Sequence, residues 1–336
     1  MIIHFHKKPF NSQLFIFILF ILLLWVDVMI YPLEPASLSF QTPLYTGLTI
    51  LLQKIPVRLN VALTFLLIVA QAVIINSSLI NHKIIGRNTL LPFLIYVVLM
   101  SYSPAVQTVH PVLIANLFLL LALNLNLSIY LKTEPYKEIF NCTFFISLAS
   151  LFYLPSLIYL ILVWASLLIY RISSLREWII TISGLLAPYL FIAFYYYWTD
   201  SFGIFIQDYI GTMFRFHPLH IVFTKPLLGE SYFVLGAVLT ILLITGFIKI
   251  SLETTEKVIT VRKRMNVIIF WVFITLISFF WASDHLLVHA CLLAIPASIL
   301  ITYFFSGIRR IAIAEIFFTV IILLIAVIKL LHRIEA

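Results

Sequence analysis

Arg215, His217, His220 and Lys225 crowd into one short polar stretch of a chain that is otherwise strongly apolar. A planar guanidinium grips a phosphate or carboxylate through two parallel hydrogen bonds, and imidazole and ammonium groups add charge beside it. The cluster therefore has the chemistry of an anion site, and Asp208 just before it adds an acid. A second set is acidic: Asp27 and Glu34, in WVDVMIYPLEP, offer carboxylates able to take a proton from an attacking hydroxyl. The third set is Asp284, His285 and His289 in FFWASDHLLVHACLL. His285 and His289 share a helix face at i, i+4 and suit the lining of a polar site. Three metal ligands from one such short piece are strained, so no metal is expected, and no motif asks for a cofactor. Each set also has a plainer reading: cations anchoring a loop to lipid headgroups, a structural hydrogen bond at Asp27, a loop acid at Glu34, and an interfacial patch at 284–289.

The elements that must position these residues are membrane helices. With 63% hydrophobic and 10% charged residues and a mean hydropathy of +1.14, the chain has more apolar surface than a soluble core can hide. The apolar runs do not alternate, so an all-α, polytopic transmembrane bundle is expected rather than a barrel. The net charge of +8 sits in short loops between apolar runs, where it sets orientation, and nucleic acid is not an expected partner. Cys142 and Cys291 lie in apolar runs without CxxC spacing and read as packing residues.

In chain order, Leu14 to Tyr31 is the first span, with Lys7 and Lys8 before it. The segment Pro32 to Pro56 contains LYTGLTILLQKI, an expected surface-lying helix with Thr46, Thr49 and Gln53 on one face. Arg58 to Ile80 is the second span. Leu90 to Leu131, broken by SYSPAVQTVHP, and Ile139 to Tyr170, broken at Pro155, are each too long for one span and short for two. Two hairpins resolve the ambiguity, because they place Lys83 and Arg87, Lys132 and Lys137, and Arg171 and Arg176 on one side. Trp178 to Trp198 follows, then a long segment, Thr199 to Ser231, whose Phe202 to Phe216 reads as a second surface-lying helix. The last spans are Tyr232 to Ile250, Val267 to Ala282, Leu286 to Phe305 and Ile311 to Leu331.

The total is about eleven transmembrane helices in a single integral-membrane domain over 1–336. Adding Lys249, Lys257, Arg262, Lys263, Arg264, Arg309 and Arg310 to the pairs above puts 15 of the 21 Lys and Arg residues on one side. That side is expected to be cytoplasmic, with the amino terminus inside and the carboxyl terminus outside.

The layout resembles that of integral-membrane glycosyltransferases of the GT-C class. In that class a first helix leads into a long outer loop with surface helices and a catalytic acid near its start, and a second long outer loop follows helix seven. Here Pro32 to Pro56 and Thr199 to Ser231 stand in those places, so the resemblance covers about 1–250 as a GT-C-like module, with 251–336 as further helices. It implies transfer of a sugar from a polyprenyl-phosphate donor in the lipid to a cell-envelope acceptor. Asp27 or Glu34 would then be the base, and Arg215, His217, His220 and Lys225 would lie near the phosphate, with Asp208, Asp284, His285 and His289 lining the site. A second resemblance, carried by Asn141 to Arg171 and Ser173 to Leu190, is to an uncharacterised family of Bacteroidota inner-membrane proteins, which implies the inner membrane and no activity. A non-catalytic subunit of a membrane complex and a lipid or solute transporter stand as alternatives.

Overall fold

The computed structural model describes residues 21–22, 24–31, 42–85, 89–130, 132–204, 206, 226–281, 286–308 and 311–335. It is all-helical, 86% helix, with no strand among the described residues. The helices are α1 (24–30), α2 (Pro43–Leu52), α3 (Val57–Asn81), α4 (Leu91–Leu99), α5 (Pro111–Ile129), α6 (Tyr136–Phe152), α7 (Leu160–Tyr170) and α8 (Leu175–Trp198). After them come α9 (Pro226–Glu253), α10 (Ile259–Ser278), α11 (Leu286–Ala290), α12 (Ala294–Ser306) and α13 (Ile311–Glu335). Among the described residues six helical stretches are long and apolar enough to cross a membrane: α3, α5, α8, Leu227–Glu253, Leu286–Ser306 and Ala312–Ile334.

Helix ends follow local chemistry. Pro111 opens α5, where the missing N–H of proline costs nothing. Glu177 accepts the Ser174 N–H at 2.9 Å, a capping box that starts α8. Arg171, with φ 60°, closes α7 in the left-handed conformation that ends helices.

Cross-helix contacts fix the direction of each helix. At one end of the bundle the His82 ring meets Asn124 at 3.1 Å, and Arg264 donates to the carbonyls of Leu127 and His82, both at 2.9 Å. The far ends of α3 and α5 and the start of α10 therefore lie together, so the chain from α4 to α5 leaves this end and returns to it. Lys263 reaches the Tyr170 carbonyl at 3.4 Å while the Tyr159 hydroxyl meets Thr275 at 2.8 Å, so α7 runs antiparallel to α10. Ser147 donates to the Leu185 carbonyl and Ser150 meets Tyr189, both at 2.7 Å, so α6 and α8 run parallel. A Cβ on Gly184 would lie 2.6 Å from the Phe140 carbonyl, which is how closely those two helices approach. Between α6 and α7 the chain reverses in the 3₁₀ turn Leu154–Tyr159, at Pro155. The expected hairpin is there, with unequal arms: α6 is longer than α7. The α4 arm is short, because Ser101–His110, where the break SYSPAVQTVHP is expected, is non-helical apart from the turn at Pro104–Val106.

We call the two ends of the bundle the Arg171 end and the Pro155 end. One contiguous apolar core runs from Ile21 to Ile328. The outward surface is apolar as well: Ile179, Leu190, Phe233, Ile244, Ile316 and Leu323 are exposed, as expected of helices whose solvent is lipid. Exposed Phe194, Tyr195, Tyr197 and Trp198 ring the last turns of α8, the aromatic belt of a membrane boundary. A helix, α2, is present in the segment Leu44–Ile55 where one is expected, tied to the Pro155 end by the Thr42 hydroxyl, which donates to the Phe152 carbonyl at 2.9 Å.

Candidate functional site

Of the candidate site residues, Asp27 and His289 are described. Glu34, Asp208, Arg215, His217, His220, Lys225, Asp284 and His285 lie outside the described residues, as does most of the expected helix at Phe202–Phe216. The elements that lead to them do converge. At the Pro155 end the loop Ser101–His110 is held by α1, where the Trp25 indole donates to the Ser101 hydroxyl at 2.9 Å. It is held by α9, where Tyr232 meets Ser103 at 2.6 Å, and by α11, whose Leu287 carbonyl accepts from the Tyr102 hydroxyl. On the α3 side Val109 N–H donates to the Asn60 side chain at 2.8 Å. The three candidate sets thus adjoin helices that meet on one buried loop.

Asp27 lies on the last turn of α1 and forms an ion pair with Arg333, two residues from the end of α13. Arg333 also donates to the Asp27 main-chain oxygen at 3.2 Å and covers the Tyr31 ring at 4.8 Å. Lys329, one turn earlier, donates to the Leu24 carbonyl and is nearly buried. The apolar context of α13 hid both partners from sequence reasoning, although basic residues spaced i, i+4 near a helix end were the available signal. The pair holds the carboxylate in place and leaves the Asp27 side chain 29% exposed at the surface of the bundle.

His289 is fully buried. One ring nitrogen meets the Tyr153 hydroxyl at 2.5 Å and the other meets Ser278 at 3.0 Å, with the Phe279 ring edge-on at 4.7 Å. Both nitrogens are occupied by protein, so this arrangement joins the α6–α7 turn to α10 and α11. Among the described residues no three His, Cys, Asp or Glu side chains come together as metal ligands. Cys142 and Cys291 are buried free thiols, Cys142 directed at the Ala122 carbonyl at 3.3 Å.

A polar line missed by sequence reasoning crosses the core beside this loop. Tyr96 donates to the Gln71 oxygen at 2.5 Å, and the Gln71 amide donates to the Leu113 carbonyl at 2.8 Å. Asn116 donates to the Cys291 carbonyl at 2.9 Å. Gln107 and His110, in SYSPAVQTVHP, are buried in the same loop. Polar residues inside a membrane-embedded core are costly without partners, and that cost was the signal available at positions 107 and 110. No family model, curated protein or solved structure matches this chain.

Proposed function

We propose that the protein is an eleven-pass membrane glycosyltransferase with a GT-C-like layout, moving a sugar from a polyprenyl-phosphate donor to a cell-envelope acceptor on the periplasmic face of the inner membrane. The observation that carries this reading is Asp27: a carboxylate on the last turn of α1, oriented by Arg333 and partly exposed at the Pro155 end. Helix directions support the layout. Counting Leu286–Ser306 as one pass and α2 as none, this layout takes α1, α3 to α10, that pass and α13 as its eleven passes. Seven of them precede Trp198, which in this layout would bring the chain after α1 and the chain after α8 out at the same end. The cations Lys83, Lys132, Arg171, Lys257 and Arg264 lie in or beside the connections of the Arg171 end, which supports a cytoplasmic orientation for it.

In this reading an acceptor hydroxyl attacks the anomeric carbon of the donor sugar. A new glycosidic C–O bond forms, the bond from that carbon to the phosphate oxygen breaks, and the hydroxyl proton passes to Asp27 or Glu34. Polyprenyl phosphate leaves, its charge met by Arg215, His217 and Lys225.

One observation favours a second reading. Arg333 neutralises Asp27 within the chain, the arrangement expected of a non-catalytic subunit that keeps the bundle. Envelope glycans of a strain lacking the protein, complemented with wild type, Asp27→Asn or Glu34→Gln, separate the two. Transfer lost in either variant at normal protein levels supports the enzyme, and transfer retained in both supports the subunit.

A further inference from the structure

At the Arg171 end the last turns of α9 and α12 lie side by side and run parallel. A Cβ on Gly246 would come 2.9 Å from the Leu300 carbonyl, so the two helices touch there. One turn on, the Lys249 ammonium donates to the Phe304 carbonyl at 3.2 Å. That bond sets a cation against the carboxyl-terminal end of α12 and uses one of the three ammonium N–H groups. Beside it is a cleft of about 290 Å³, lined by Thr245, Ile248, Lys249, Leu252 and Glu253 of α9.

Glu253 stands between two ammonium groups without touching either. Its carboxylate lies 3.9 Å from Lys249 and 4.0 Å from Lys257, beyond hydrogen-bond range. The Tyr303 hydroxyl donates to Glu253 Oε2 at 2.6 Å and fixes the carboxylate from the α12 side. With Glu256, three positions on and exposed, the cluster holds two ammonium groups and two carboxylates and has no net charge. A group inserted beside it meets both signs: an anion alone faces Glu253, and a cation alone faces Lys249 and Lys257. On the same side of α9, Ile241, Ile244, Ile248 and Leu252 are exposed and form an apolar stripe. It runs from the charged groups towards the middle of the helix, the course of an acyl chain leaving its headgroup.

We propose that this cleft binds one phospholipid whose headgroup carries both a phosphate and a primary ammonium. The phosphate sits against Lys249 and Lys257, the ammonium against Glu253, and an acyl chain lies along Ile241, Ile244, Ile248 and Leu252. A primary ammonium donates hydrogen bonds to the carboxylate, which a quaternary one cannot do. A glycerol headgroup brings a phosphate charge to Glu253 with no cation of its own. Capping of α12 explains Lys249 alone, whereas the lipid also explains a carboxylate fixed by Tyr303 on the wall of the cleft. The site is independent of the transfer reaction.

The test uses the full chain purified in detergent and titrated separately with phosphatidylethanolamine, phosphatidylcholine and phosphatidylglycerol of the same acyl chains. Native mass spectrometry counts the lipid retained per chain. Wild type should retain one phosphatidylethanolamine, with an affinity about tenfold above that for the other two. Glu253→Gln keeps an acceptor for the Tyr303 hydroxyl and removes the charge, so it should erase the difference between phosphatidylethanolamine and phosphatidylcholine. If that variant fails to insert, Lys257→Gln, at an exposed position, carries the comparison and should weaken retention of phosphatidylethanolamine. Equal retention of the three lipids by wild type, a preference for phosphatidylglycerol, or a preference unchanged in the variant overturns the proposal.

Discussion

The Asp27 carboxylate and the Arg333 guanidinium, 306 positions apart, join the end of the first described helix to the end of the last. The side chains are 29% and 45% exposed, and an ion pair so exposed at a membrane boundary is expected to be screened. A double-mutant cycle with Asp27→Asn and Arg333→Gln should give a coupling below about 1 kcal/mol in thermal stability. A coupling several times larger would show that the pair is a structural lock rather than an oriented, accessible acid.

Arg264 is different in kind, for it is 3% exposed and gathers the carbonyl ends of two helices. Those ends carry partial negative charge, which a buried guanidinium offsets. Arg264→Met should cost about 2–4 kcal/mol, because the His82 and Leu127 carbonyls lose their donor. Arg264→Lys should recover part of it, since one ammonium reaches one of the two. Melting of the purified protein measures both, and equal melting of Arg264→Met and wild type would contradict the clasp.

The fold was legible where apolar runs were long and charge marked their ends. The reversal at Pro155 followed from Arg171 and Lys132 needing one side, and the turn at Leu154–Tyr159 bears it out. The partners within the core were not legible. Arg333 lies in sequence beyond anything that points to Asp27, and a match made across 306 positions leaves no periodic trace. Gln107 and His110 read as residues of a break between helices. What distinguishes them is complete burial, which depends on α1, α3, α9 and α11 closing over the loop.

Acid should destabilise the protein through His82. Burial, and to a smaller extent Arg264, holds its pKa below the usual value. The ring is neutral when folded and binds a proton more readily when unfolded, so its contribution is complete above the ordinary histidine value and is lost as pH falls below it. His82→Asn should flatten the dependence of melting temperature on pH, and an unchanged slope would contradict the assignment.

Orientation is open to direct measurement. Reporter fusions after Lys83, Lys132, Arg171 and Lys257 should report cytoplasm, and fusions after Gln41 and His217 the opposite face. A fusion after Arg171 on the periplasmic side would reverse the assignment of both ends.

The central proposal is that Asp27, on the last turn of α1, serves sugar transfer at the periplasmic face. The most direct measurement is transfer of labelled sugar from a polyprenyl-phosphate donor to envelope acceptor in membranes containing wild type, Asp27→Asn or Glu34→Gln at matched protein levels. The account predicts transfer by wild type and its loss, by about 100-fold or more, in at least one variant that melts within a few degrees of wild type. Transfer undiminished in both variants, or absent from wild type with every envelope acceptor fraction, would contradict it.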